Sequence, residues 1–358
     1  YYFLFTTYFL VGLLITDDFG ISVDEEFHRY SGFYWLNYVL EFTPFNNLKA
    51  QVFLKLSEIG GHTLPNPKNY PFYGVTFDLP LALIETLFNI QDSRNYFLLR
   101  HNANFIIFFI SSIFFYLILK QRFIDNKVVL LGVLLYLSSP RIFGHSFYNN
   151  KDIIFLSILT INFYFLFTVL EKKNYKNIFL FSIFSALTCA TRIVGIFIPF
   201  AFIAILLLNK NSKIDSYKFC IKTILIYIFL FSLFLIFFWP YLWEDPLTNL
   251  IYSIKIFSRY PAEFLMLFNG DYIDSKFLPL SYVPVWMLIT IPITILFFFI
   301  YGNFYLFKRL LNRTLNINNE NFFNDFWRGK KEKKDFIIFM SFNVIFFYII
   351  LSNTDLYN

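Results

Sequence analysis

The stretch GISVDEEFHRY (20–30) places Asp24 and Glu25 just after an apolar run, YYFLFTTYFLVGLLI (1–15). A carboxylate at the mouth of a membrane cavity can take a proton from a hydroxyl as a general base. The same pair can also do no more than anchor a loop in water. Asp17, Asp18 and Glu26 beside it are expected to be solvated. A second polar group is SPRIFGHSFYNNKDIIF (139–155), which carries Arg141, His145, Lys151 and Asp152. Arg offers phosphate oxygens a planar fork and Lys a compact charge. Cations at a membrane boundary therefore suit a lipid-linked phosphate. Asp152 opens the next apolar run, where it could simply cap a helix. In TRIVG (191–195), Arg192 sits between two apolar runs with no acid nearby in sequence. Such an Arg needs a partner or a cavity, or else snorkels to the headgroups. Arg100 and His101 open another apolar run. WPYLWEDP (239–246) reads as an interfacial belt with Asp245 as a helix cap.

The elements that must position these residues are membrane helices. The 358 residues are 57% hydrophobic, 23% aromatic and only 15% charged, with mean hydropathy +0.56. Soluble domains carry about a quarter charged residues, so the composition points to a polytopic membrane protein whose helices cross roughly 30 Å of hydrocarbon. Nine runs are candidates: 1–15, 103–119, 128–139, 153–170, 178–190, 194–208, 219–239, 282–307 and 336–351. The 178–208 region reads as one bent helix or two short ones, split at Thr191-Arg192.

Connecting segments alternate in character. Segments 120–127, 171–177, 209–218 and 308–335 are basic, with Lys330, Lys331, Lys333 and Lys334 the densest cluster. Segments 16–102, 140–152, 191–193 and 240–281 hold most of the acids, aromatics and prolines. The positive-inside rule puts the first set in the cytoplasm and the second outside, which also accounts for the formal charge of +6. Segment 16–102 is too long for a simple turn. Within it, 27–42 and 77–89 mix aromatic and polar residues at helical spacing and predict helices lying along the interface. A third such helix is expected at 247–268.

Other chemistries find no foothold. The chain has no P-loop, GxGxxG, HExxH, Cys/His cluster or Asp-x-Asp diphosphate motif after a strand. Its two cysteines, Cys189 and Cys220, lie in apolar segments and make no disulfide framework or zinc pattern. The sequon at Asn312 falls on the cytoplasmic side. With no internal repeat or low-complexity linker, 1–358 reads as one domain. Tyr1 begins inside an apolar run and SNTDLYN ends just after another, as expected of a chain that continues at both ends.

The order is a helix, an external acidic pair, a long loop with interfacial helices, an Arg opening the next helix, and an external loop ending in Asp. Over residues 1 to about 200, this order resembles the GT-C glycosyltransferases, in particular the dolichyl-phosphate-mannose–protein mannosyltransferase branch, glycosyltransferase family 39. LFNGDYIDSKFLPLSYVPVW (267–286) is similar to bacterial members. The resemblance implies an all-α GT-C-like bundle, which the nine apolar runs of residues 1–358 would fill with about nine transmembrane helices. It also implies an inverting transferase that moves a sugar from a polyprenyl-phosphate donor to an acceptor hydroxyl. Asp24 would be the general base, Glu25 would position Asp24 or the acceptor, and Asp152 would occupy the second acidic position. Arg141, Lys151 and Arg192, with His145 as a further member, would neutralise the phosphate leaving group. Arg100 would join them or hold the acidic pair. Where the family often has a His-Pro-Pro stretch, this chain reads FDLPLAL (77–83), with Asp78 in place of His.

The implied partners are a membrane-embedded polyprenyl-phosphate sugar and an acceptor that is a protein, lipid A, a lipopolysaccharide core or another surface glycan, with no nucleic acid. The expected location is the bacterial inner membrane, with the site facing the periplasm. Divalent-cation dependence varies within the superfamily, and the isolated acids specify no metal site. Two other classes fit the composition. A transporter or flippase would show inverted repeats and helices broken near the midplane, whereas the charge here gathers on one external face. A non-catalytic membrane scaffold would tolerate loss of Asp24.

Overall fold

The computed structural model describes residues 1–59, 64–172, 174–208, 214–258, 264–315 and 343. The helices in chain order are α1 (Tyr2–Ile15), α2 (Glu25–Leu40), α3 (Asn46–Ile59), α4 (Asp78–Leu87), α5 (Ser93–Arg122), α6 (Asn126–Leu137) and α7 (Pro140–Tyr148). They continue with α8 (Asp152–Glu171), α9 (Tyr175–Thr191), α10 (Phe197–Leu208), α11 (Ile214–Phe238), α12 (Pro246–Ser258), α13 (Tyr282–Thr290) and α14 (Ile293–Leu315). Strands β1 (Leu265–Phe268) and β2 (Asp271–Asp274) pair antiparallel across Asn269-Gly270. Both turn residues have positive φ, as a tight two-residue hairpin requires.

Apart from that hairpin the regular elements among the described residues are all helical, consistent with an all-α polytopic membrane protein. Among the described residues, three helices are long and apolar enough to cross a membrane: α5, α8 and the 220–238 part of α11. The number rises to five if each of two bent pairs, α6 with α7 and α13 with α14, forms one span. Large apolar side chains stand exposed along these helices, among them Ile110, Phe229 and Phe237. Such surfaces are stable only against lipid or another protein.

Several expectations meet their elements directly. The amphipathic stretches 27–42 and 77–89 form α2 and α4. The 178–208 region is two helices, because Arg192 leaves the helix with φ −143° and ψ 130°. Three expectations change. The segment 140–152 contains the helix α7 where a loop was expected, since PRIFGHSFY has a proline suited to a first turn and few breakers after it. The run 282–307 is not one helix but two, bent by 119°, because Pro292 cannot continue the hydrogen-bond ladder. Only part of 247–268 is helical, as α12, and its end is β1. The expected span 336–351 and the cluster around Lys331 lie outside the described residues.

Packing divides the chain into one unit of 1–138 with 142–257 and another of 139–141 with 258–358. In the first, α2, α3 and α4 share a core around Phe33, Leu36, Val52 and Ala82. Phe77, Leu81 and Ile154 tie α4 to α8, and Phe181, Phe202 and Tyr227 join α9, α10 and α11. Two glycines set close approaches. A Cβ on Gly32 would lie 2.5 Å from the Asp78 carbonyl oxygen, and one on Gly74 would overlap the Ala190 carbonyl.

Candidate active site

Helix α2 carries the acidic pair at its start, and the two carboxylates are treated differently. Asp24 is the N-cap residue, yet its side chain makes no capping hydrogen bond, and it is exposed. Glu25 is buried. Its Oε2 lies 2.8 Å from His101 Nε2, and its Oε1 accepts from the Ser22 backbone N–H at 2.7 Å. Asp17 is exposed and forms only a surface pair with Arg94, and Asp18 and Glu26 are exposed as well.

One turn after Asp24 stands His28, whose backbone N–H bonds the Asp24 carbonyl. The His28 ring meets the Tyr73 ring edge to face, with centroids 5.9 Å apart. Two cations lie over the Tyr73 ring at 5.7 Å, Lys151 and Arg192. Burial first, and then the charges of Lys151 and Arg192, push His28 well below the ordinary histidine range. It is a neutral imidazole with Nδ1 buried and unpartnered.

The 73–78 segment supports this group. Tyr73 pairs with Arg192 in an isolated antiparallel bridge, and Thr76 and Thr191 hydroxyls meet at 2.8 Å. Gly74 permits that approach, and its carbonyl accepts from Lys151 Nζ at 3.0 Å. Lys151 is itself buried, with Nζ 2.8 Å from Asp78 Oδ2. Asn150 donates to the other Asp78 oxygen at 3.1 Å.

Asp152 does not cap α8. Its carboxylate forms an ion pair with Arg192 and accepts from Asn149 Nδ2 at 3.1 Å. The same amide nitrogen stands 2.8 Å from His145 Nδ1, and Asn149 Oδ1 accepts from the Asp152 backbone N–H at 2.8 Å. Arg192 therefore has a partner. It is still about a quarter exposed, and its Nε is buried without a hydrogen bond. Phe19 stacks on Phe147 at 4.2 Å, which ties the segment before Asp24 to α7.

Asp152, His145, Lys151 and Arg192 are thus joined through the 73–78 segment and the α7–α8 junction, while Asp24 and Glu25 stand at the start of α2, four and three residues before His28, with no side-chain contact to that group among those described. Arg141 is exposed and is not joined by these contacts. Arg100 pairs with Glu85 instead of the acidic pair; His101, one residue on, holds Glu25 alone. Arg100 is fully buried, and its Nη1 lies 2.8 Å from Glu85 Oε2. Arg29 also binds Glu85, at 3.2 Å through Nε, and stacks on Tyr96 at 3.6 Å. Burial would raise the Glu85 pKa; the hydrogen bonds and charges of Arg29 and Arg100 outweigh it and hold the carboxyl below the ordinary glutamate range. Among the described residues no group of three His, Cys, Asp or Glu could hold a metal ion.

Sequence reading singled out Asp78 only as standing in place of a His, and it missed His28, Tyr73, Glu85 and Asn149. For two of these a signal was present. Glu25, His28 and Arg29 share a helix face at i, i+3 and i+4, and Asp78 and Glu85 do so at i and i+7. Polar residues on the same face as core positions Gly32 and Leu36 must find buried partners.

The apolar helices point to a membrane protein, with a charged cluster next to its candidate spanning segments. Residues 81–242, a little under half of the chain, are similar to the family model described as dolichyl-phosphate-mannose-protein mannosyltransferase. No curated protein and no solved structure matches the chain.

Proposed function

We propose that the protein transfers a sugar from a polyprenyl-phosphate donor to an acceptor hydroxyl, with inversion at the anomeric carbon. Its site opens on the outer face of a bacterial inner membrane, and the whole chain acts as one bundle of about nine spans. The observation that carries this reading is the split of the acidic pair: Asp24 is exposed without a capping bond, while Glu25 is buried on His101. Asp24 then takes the proton of the acceptor hydroxyl. The oxygen forms a bond to the anomeric carbon as the bond from that carbon to the phosphate oxygen breaks, and the electron pair leaves with the polyprenyl phosphate.

Charge develops on that phosphate, and fixed cations stabilise it most where water is scarce. Arg192 has an uncommitted buried N–H and is held in place by Asp152 and the Tyr73 ring. Lys151 is locked behind it by Asp78 and adds a fixed positive field. Asn149 sets the orientation of Asp152 and His145. Glu25 fixes the start of α2, so that Asp24 is presented in one direction. Arg100, committed to Glu85, serves the scaffold.

The reading is tested by the stereochemistry of transfer. Reconstituted protein given a polyprenyl-phosphate sugar of known anomeric configuration should yield free polyprenyl phosphate and a product of opposite configuration. A product with retained configuration would rule out single displacement driven by Asp24.

A further inference from the structure

A cavity of about 550 Å³ opens between α3 and the end of α4. Arg29 and Lys55 line it, together with the amides of Gln51 and Asn89. Behind it is the buried Glu85, on which three cations converge: Arg29 through Nε and Nη2, Lys55 at 3.6 Å and Arg100 at 2.8 Å. One carboxylate cannot balance three cations. Glu58 also lines the cavity but is exposed.

The imbalance has left traces in the hydrogen bonding. Arg100 is 1% exposed, and its Nε and Nη2 are buried with no partner. Glu85 takes both Nε and Nη2 of Arg29. Buried N–H groups on a cation are rarely left unmatched; Arg100 does not line the cavity, so what it adds there is positive charge behind Glu85. Lys55 Nζ already spends bonds on the carbonyls of Glu85 and Ile90, and its pKa is lowered, by burial first.

The rim of the cavity has the opposite character. Leu54 and Leu87 line it while being 61% and 63% exposed. Phe53 and Phe88, next to them in sequence, are exposed to a similar or greater degree. A basic interior with bare apolar side chains at its mouth matches a phosphate attached to acyl chains better than a soluble anion. Basic pockets beside membrane segments bind anionic lipid headgroups in this way.

We propose that the α3–α4 cavity is a binding site for the phosphate headgroup of an anionic membrane phospholipid, separate from the Asp24–Arg192 site. The phosphate lies against Arg29 and Lys55, the Gln51 and Asn89 amides meet headgroup oxygens, and the acyl chains lie along Leu54, Leu87 and Phe88. Because the same helix α2 carries Asp24 and Arg29, lipid in this cavity steadies the element that presents Asp24.

The experiment uses the full chain in nanodiscs of phosphatidylcholine, titrated with phosphatidylglycerol and read by native mass spectrometry of retained lipid. Wild type should retain phosphatidylglycerol saturably and in preference to phosphatidylcholine. Lys55→Gln should raise the half-saturating fraction about fivefold, the effect of one basic residue on an anionic lipid. Leu87→Glu, at an exposed rim position outside the buried cluster, should also weaken retention, and it guards against misfolding as the cause. Equal retention of the two lipids, or retention unchanged in both variants, would overturn the proposal. Inorganic phosphate binding as tightly as phosphatidylglycerol would overturn the lipid assignment.

Discussion

At the residue scale, burial decides which charged groups hold the scaffold and which are left for chemistry. Glu85 has no exposure and faces Arg29, Arg100 and Lys55. Glu85→Gln would leave those cations uncompensated, and removing one partner from a buried ion pair costs about 3–5 kcal/mol. We expect a loss of that order in chemical denaturation, or failure to accumulate folded protein; wild-type stability would contradict the assignment. His28 gives a pH signature. Its pKa is depressed in the folded state, so the unfolded chain binds the proton more readily. Stability is full above the unfolded value of about 6.5 and falls as pH drops from there towards the folded pKa. The melting temperature should therefore decline below about pH 6.5, and His28→Gln should flatten that part of the profile. The residues proposed to carry chemistry were partly legible in the sequence. Asp24, Asp152 and Arg192 stood out because ionisable groups beside apolar runs are costly. Arg100 was legible as important but not as Glu85's partner, because the contact joins helices whose register no single-sequence pattern specifies.

At the scale of elements, the site depends on close backbone approaches. The amphipathic helices α2 and α4 were readable from periodicity alone. The bridge between Tyr73 and Arg192 was not, since it pairs a loop with a helix break more than a hundred residues away. Gly74 makes it possible: an added Cβ would run into the Ala190 carbonyl, which is backbone and cannot swing aside. Gly74→Ala should separate the two segments, release Lys151 from its carbonyl acceptor and destabilise the protein by about 1–3 kcal/mol. Gly144→Ala, where nothing lies within 4 Å of the new Cβ, should leave stability unchanged or slightly raised. Equal thermal shifts in the two variants would remove the argument for a close approach at Gly74. The helix α7 went unread because its nine residues are polar enough to pass for a loop, and their fold follows from packing Phe147 against Phe105 and Phe19.

At the scale of the molecule, the proposed topology puts the acids and aromatics on one side of the membrane and the basic connectors on the other. The 30 residues of α5 run from Asp92, its N-cap, to Lys120 and Arg122 in its last turn. At 1.5 Å per residue that is about 45 Å, enough to cross the hydrocarbon with both ends in water. The native cysteines are buried, so single introduced thiols can be read. Glu26→Cys and Lys127→Cys should react with an impermeant thiol reagent from opposite sides of sealed vesicles. Labelling from the same side would invalidate the topology and, with it, an outward-facing site. The central claim is that Asp24 is the base for sugar transfer, and one measurement meets it most directly. Purified wild type and Asp24→Asn are reconstituted with the same polyprenyl-phosphate sugar and acceptor extract, and the rate of transfer is compared. Because the Asp24 side chain is exposed and makes no capping bond, the variant should keep wild-type stability. Its rate should fall by about 10²–10⁴-fold, the usual contribution of a positioned base. Transfer by folded Asp24→Asn at the wild-type rate would contradict the account.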